Sequence, residues 1–215
     1  MTSGVRHVSG RITSGVFGRI TSVAPVNTVR SRFPRFNAAI WDMQYRLRMW
    51  DYLDRGTSTD LIGLLERYTA NPRILDLGCG TSINLQLASG GYRYYHGVDI
   101  SMKAIRAARK HARANSSFEV ADVLGYQTAE RYDAILLRDV LSCLPEEEIT
   151  EFLRRIGGFL NPGGKIFIRS WDKSACAEVI RLVLESGFPV LEEQAGRANG
   201  GPESSIIVLQ GARPS

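Results

Sequence analysis

The most chemically pointed pattern in the chain is an acid, two glycines and a second acid: Asp76-Leu77-Gly78-Cys79-Gly80-Thr81-Ser82, followed 23 residues after Asp76 by Asp99. Glycines at 78 and 80 let the backbone turn tightly and approach a ligand without Cβ interference. Asp99 falls at the end of the next predicted strand, where a carboxylate accepts hydrogen bonds from ribose hydroxyls. A bare Gly-x-Gly also serves any tight strand–helix turn, so it is the spacing to Asp99 that favours a nucleoside over a purely structural turn. A dinucleotide seats its pyrophosphate on loop amides at a helix N-terminus. Asp76, at the head of the loop, is a poor neighbour for that group. It suits a ligand with a cationic amino group and no phosphate.

Two further acids, Asp139 and Asp172, follow the fourth and fifth predicted strands. Either could orient a nucleophile or accept its proton; the competing reading pairs each with an arginine such as Arg138 or Arg169. None of the three histidines (His7, His96, His111) falls at the carboxyl end of a strand, so a histidine base is not expected. Trp41, Tyr45 and Trp171 are candidates to line an apolar substrate pocket and to contact a cation through their rings, although burial alone explains an aromatic equally well. No Asp/Asn cluster stands out after the fourth strand, and no metal site is expected.

The elements that must hold these residues follow from periodicity and punctuation. Asn37 after Pro34 can cap a helix to about Asp54, with Gly56 beyond its end. On it Ile40, Met43, Leu47 and Trp50 form one stripe, and Trp41, Tyr45, Arg48 and Tyr52 another on the opposite side. One face is expected against the body and the other over a ligand. Ser58–Tyr68 reads as a second helix. Strands are then predicted at 73–77, 94–98, 117–120, 132–137 and 165–169, alternating with helices, and the pattern closes on strands at 190–194 and 205–209. Five strand–helix units and a terminal strand pair mean an α/β domain with a mainly parallel sheet covered on both faces.

Ile74-Leu75-Asp76-Leu77-Gly78-Cys79-Gly80-Thr81 resembles the first motif of the class I S-adenosylmethionine-dependent methyltransferases. The resemblance continues in register through Gly97-Val98-Asp99-Ile100-Ser101, Glu119-Val120-Ala121-Asp122-Val123, Tyr132-Asp133-Ala134-Ile135, Val140-Leu141-Ser142-Cys143-Leu144-Pro145 and Leu160-Asn161-Pro162-Gly163-Gly164-Lys165, covering roughly residues 70–170. It implies a three-layer Rossmann-like fold, with a mainly parallel seven-stranded sheet whose last strand is antiparallel. S-Adenosyl-L-methionine is the implied cofactor. By the resemblance, Gly78, Cys79 and Gly80 lie against its methionine part, and Asp76 organises that loop and favours the amino group. Asp99 holds both ribose hydroxyls, Ile100 packs on the adenine, Asp122 accepts from the adenine amino group and the Val123 N–H meets a ring nitrogen. Arg138 and Asp139 border the methionine end and the substrate. Two departures stand out: Ser82 replaces a third glycine, and Cys143 stands where many relatives carry a histidine. The stretch from Trp41 to Leu53 more loosely resembles the cover helix of small bacterial methyltransferases acting on small molecules.

Chain-wide numbers bound these readings. With 215 residues, 44% hydrophobic and 23% charged, the chain suits one globular domain and not a disordered or fibrous class. The net charge of +5 invites a nucleic-acid partner, but its distribution argues otherwise. Residues 1–56 carry nine Arg against three acids, whereas residues 57–215 carry 18 basic and 19 acidic side chains. The expected organisation is a basic, disordered extension over 1–36 and a catalytic domain over 37–215 with cover helices at 37–70. Transit-peptide composition is the alternative for 1–35. Three scattered cysteines fit a reducing, cytoplasmic setting. The expected function is methyl transfer to a nitrogen or oxygen of a small molecule, with no membrane or nucleic-acid partner. The alternatives are an RNA or protein methyltransferase docking through the basic N-terminus, and a catalytically silent S-adenosylmethionine-binding protein.

Overall fold

A computed structural model describes residues 34–49, 60–88, 91–170, 176–197 and 203–211. The expectations for the N-terminal extension, and those for Trp171 and Asp172, lie outside these residues. Two helices, α1 (Pro34–Arg46) and α2 (Asp60–Tyr68), precede β1 (Arg73–Leu77), α3 (Ile83–Leu87), β2 (Tyr94–Asp99), α4 (Met102–Ala108) and β3 (Ser116–Val120). Then come β4 (Tyr132–Arg138), α5 (Glu146–Gly157), β5 (Leu160–Ser170), α6 (Ala177–Leu184), β6 (Val190–Arg197) and β7 (Glu203–Gln210).

The seven strands form one sheet in the order β3-β2-β1-β4-β5-β7-β6. Pairings from β3 to β5 are parallel, and β7 is antiparallel to both β5 and β6. This is the sheet that the sequence implied. Alternate residues face opposite layers. Leu75, Leu77, Ile135, Leu137, Ile166 and Ile168 pack with Ile149, Phe152, Leu153 and Ile156 of α5. Ile74, Leu136 and Phe167 pack on the other side with Leu61 and Leu65 of α2, Leu85 of α3 and Ile105 of α4. Helix α5 shows how the sequence writes such an element. Three glutamates open its first turn, Arg154 and Arg155 close its last, and the buried residues recur at i, i+3, i+4 and i+7.

Three expectations need correction. Between β3 and β4 the chain runs through 121–131 without a helix, so there are four strand–helix units where five were expected. The reason is local: Asp122 accepts the Leu124 N–H on its side chain (3.0 Å) and the Gly125 N–H on its carbonyl (3.1 Å), and that turn competes with a helix. Helix α1 starts at Pro34, a residue suited to the first helical position, and stops at Arg46. A turn follows in which Arg48 takes φ 57°. The remainder of the predicted helix, 50–54, lies outside the described residues. Third, the Met43/Leu47 stripe does not pack on the body: these side chains are 52% and 62% exposed, and Gln44 is the buried residue between them.

Gly97 in β2 marks the tightest point behind the first loop. A Cβ there would stand 2.8 Å from Phe118 Cδ1 and 2.9 Å from Cys79 Sγ. Gly97→Ala is expected to cost about 1–3 kcal/mol through overpacking, read as a lowered urea midpoint with an unchanged m-value.

Candidate active site

In a sheet whose strand order reverses beside β1, ligands bind outside the carboxyl ends of the flanking strands. β1 lies between β2 and β4, and there a cleft of about 150 Å³ opens. Its floor is the loop after β1. Gly78 and Gly80 take φ of 75° and 53°, and Ser82 takes the same left-handed conformation at 68°. Serine therefore does a glycine's conformational work at 82, with a Cβ and a buried Oγ that finds no partner. A Cβ at Gly78 would come within 2.4 Å of Val140 Cγ2, and one at Gly80 within 2.8 Å of the Tyr45 hydroxyl. Gly78 is thus demanded by its neighbour as well as by its backbone angle, and Gly80 chiefly by its backbone angle.

Asp99 ties the wall to this floor. Its Oδ2 accepts the Gly80 N–H at 2.9 Å and its Oδ1 the Ser101 N–H at 2.8 Å, leaving each oxygen a further lone pair. The side chain lines the cleft. Ser101 passes the connection on: its hydroxyl donates to Asp42 of α1 at 2.6 Å, and the same Asp42 oxygen accepts the Lys103 N–H at 3.0 Å. Helix α1 is thereby latched across the cleft, with Trp41 and Tyr45 on the wall facing the glycine loop.

Below the floor a buried polar chain runs along the sheet. Tyr95 donates its hydroxyl proton to Asp76 Oδ2, Asn84 Nδ2 donates to the same oxygen at 2.9 Å, and Arg138 Nε donates to Asn84 Oδ1 at 2.7 Å. Asp76 is wholly buried, does not line the cleft, and keeps an Oδ1 with no partner. Beside this chain the Asp139 carboxylate forms an ion pair with Arg169 of β5, both nearly inaccessible. Asp139 sits at φ 59°, and its N–H donates to the Arg169 carbonyl at 2.8 Å. A non-glycine residue in that region at a strand end is strain held at a site.

The residues picked out by sequence therefore converge. Gly78, Cys79 and Gly80 line the cleft together with Asp99 and Ile100, and Asp122 with Val123. Arg138 and Asp139 stand at its far end, and Trp41 and Tyr45 on the covering helix. His96 lies elsewhere, bonded through Nδ1 to Ser117 Oγ at 2.6 Å. Sequence reasoning missed Asp42, Asn84 and Tyr95 as partners of these residues. Their bonds span 59, 8 and 19 positions, and no local pattern announces them. Among the described residues no cluster of metal-binding side chains occurs.

Burial pushes the carboxyls of both Asp76 and Asp99 up to about 6, against the opposing pull of their hydrogen bonds. Between pH about 4 and 6 the native state then holds protons that the unfolded chain has lost, so stability falls as pH rises through that window. The size is on the order of 2–3 kcal/mol per carboxylate. Asp76→Asn, which keeps an oxygen for Tyr95 and Asn84, is expected to lose less stability than the parent between pH 4.5 and 7, as measured by urea unfolding.

A family model described as a methyltransferase domain matches residues 74–164. Among curated proteins, the ubiquinone biosynthesis O-methyltransferase of Aeromonas salmonicida (strain A449) is 23% identical over 169 residues, covering 76% of this chain and 67% of that protein. The enzyme of the same name from Xanthomonas axonopodis pv. citri (strain 306) is 24% identical over 119 residues, 53% of this chain and 49% of that one. The chain thus spans between half and two thirds of these relatives. Among solved structures, N-methyltransferase NodS from Bradyrhizobium japonicum WM9, in complex with S-adenosyl-L-homocysteine, superposes with a TM-score of 0.63 at 20% identity, over 72% of this chain and 85% of that one. With the glycine loop, the acid after β2 and the reversed end of the sheet in their expected places, the chain resembles the class I S-adenosylmethionine-dependent methyltransferases, and residues 74–164 carry the match to the methyltransferase-domain model.

Proposed function

We propose that the protein transfers a methyl group from S-adenosylmethionine to a nitrogen or oxygen atom of a small molecule. The observation that carries this reading is the covered cleft. One wall offers carboxylates where hydroxyls and an amino group would sit, and the other is closed by an aromatic-bearing helix latched through Asp42. The relatives named above carry O- and N-methyltransferase names. No helix among the described residues is long and apolar enough to cross a membrane. A cytoplasmic setting accompanies this reading, with no disulfide among Cys79, Cys143 and Cys176, as does the absence of a membrane or nucleic-acid partner.

The cofactor supplies an activated methyl group on its sulfonium. The chain's own residues supply positioning, which is where most of the rate of such a transfer originates. Asp99, with one lone pair free on each oxygen, would hold the two ribose hydroxyls, and Ile100 would pack on the base. Asp122 has one carboxylate oxygen taken by the Leu124 N–H; the other would accept from the adenine amino group while the Val123 N–H donates to the ring. Gly78, Cys79 and Gly80 would border the methionine part above Asp76, and Arg138 would face its carboxylate. On the acceptor side, Asp139 is paired with Arg169 and would accept a hydrogen bond from the N–H or O–H of the nucleophile, orienting its lone pair. Trp41 and Tyr45 would exclude water over the reacting atoms. Asp172 and Trp171, in the segment after β5, are proposed as a second acid and a further wall of the same pocket, and the catalytic domain as extending from residue 37 behind a basic extension.

The decisive experiment is incubation with methyl-labelled S-adenosylmethionine and a panel of small phenols, alcohols and amines. Label in a small product is expected; tight S-adenosylhomocysteine binding with no transfer to any acceptor would instead leave a silent binding protein. Asp99→Ala is expected to weaken S-adenosylhomocysteine binding at least tenfold by calorimetry. In the parent the affinity should fall as pH drops through about 6, because Asp99 then takes up the proton that replaces a lone pair. Asp139→Asn is expected to lower kcat by about 100-fold, within the usual range for a positioned acid or base, with little change in cofactor KM.

A further inference from the structure

From the loop between β3 and β4, Asp122 and Val123 line the cleft, and the groups they bring to read a base are the Asp122 carboxylate and the Val123 N–H. Both sit on irregular backbone beyond an edge strand, with no ladder to fix them. The fixing comes from α5. Arg155 donates through Nη2 to the Val123 carbonyl at 3.0 Å and through Nη1 to the Tyr126 carbonyl. Its guanidinium also lies 5.5 Å from the centroid of the Phe152 ring on its own helix. The two carbonyls bracket the turn that Asp122 closes on Leu124 and Gly125.

We infer that Arg155 is a positioning residue for the base: its planar fork clamps the 122–126 loop, so that Asp122 and Val123 present one acceptor and one donor at fixed spacing and select adenine over other purines. This rests on the cofactor reading above and adds to it the source of its selectivity. Loop carbonyls without strand partners must find donors. A guanidinium satisfies two at once in a fixed geometry, whereas an ammonium is a point charge without that fork. The Val123 carbonyl belongs to the peptide next to the one bearing the Val123 N–H, so fixing the first limits rotation of the second. Adenine offers an amino donor and a ring-nitrogen acceptor to this pair. Hypoxanthine offers an oxygen and an N–H, the reverse at both positions, and would set like against like. A site that hydrogen-bonds its ligand discriminates strongly only while its groups are held in place.

The test is calorimetric. Full-length protein, Arg155→Met and Arg155→Lys are each titrated with S-adenosylhomocysteine and S-inosylhomocysteine, and unliganded thermal unfolding is recorded for all three. The parent is expected to prefer the adenosyl ligand on the order of 100-fold. Arg155→Met should compress that ratio at least tenfold and Arg155→Lys should fall between, whether or not the unfolding midpoint moves. A ratio unchanged in both variants overturns the proposal and leaves Arg155 a structural residue. If Arg155→Met does not fold, the Lys variant decides alone by the same criterion. A parent that binds neither ligand overturns the cofactor reading itself, a result distinct from an unchanged ratio in proteins that bind.

Discussion

Everything at the carboxyl end of the sheet hangs on one buried carboxylate. Asp99 accepts backbone N–H groups from two segments that are not adjacent in sequence, Gly80 on the first loop and Ser101 at the start of α4. Through the Ser101 hydroxyl it is one bond removed from Asp42 on the covering helix. A single side chain therefore sets the height of the glycine loop, the start of α4 and the seat of α1. The cost of burying it is visible in its raised pKa. A ligand that donates hydrogen bonds to Asp99 favours the ionised form that burial opposes, so ligand binding and the relief of that cost are one event.

The second buried acid works differently. Asp76 does not reach the cleft; it anchors Tyr95 and Asn84 and, through Asn84, Arg138. Polar chains of this kind specify a unique arrangement only when nearly every member is satisfied. Here Asp76 Oδ1 and Ser82 Oγ remain without partners beneath the loop, next to three consecutive alternate residues in left-handed conformation. Strain and unsatisfied groups gather in one place, directly under the proposed methionine end. The rest of the molecule, two apolar layers against a seven-stranded sheet, supplies the rigidity that holds them there.

The sequence made the sheet legible because its central strands are buried on both faces and read as apolar runs bounded by glycine and charge. β1 was delimited to the residue and β4 to within one. The cleft-lining residues were legible because they sit at or just beyond strand ends, where position along the chain fixes position in space. What escaped was everything set by contact between elements. Asp42 looked like one acid among three on a basic segment, and only its meeting with α4 makes it a latch. Arg169 was weighed as a partner for Asp139, and the structure makes the pair. The count of five strand–helix units fell to four because the chain after β3 closes an Asx turn at Asp122 where a crossover helix would stand. The exposed Met43/Leu47 stripe shows the limit of periodicity, which identifies an apolar face but not what that face meets.

On the proposed reading, the covering helix bears on what kind of acceptor the cleft admits. Its inward face carries Trp41 and Tyr45 together with Asn37, which lines the cleft and has a buried Oδ1 without a donor. Opposite stand Asp139 and the apolar Val140, Leu144 and Pro145. Between them the space is narrow, mostly apolar, and supplied at its ends with hydrogen-bond acceptors. A flat molecule bearing an O–H or N–H satisfies both requirements, with the ring against the apolar walls and the donor toward Asp139. On the proposed reading, the coupling through Asp42, Ser101 and Asp99 that seats α1 over the cleft favours an acceptor small enough to enter without disturbing it.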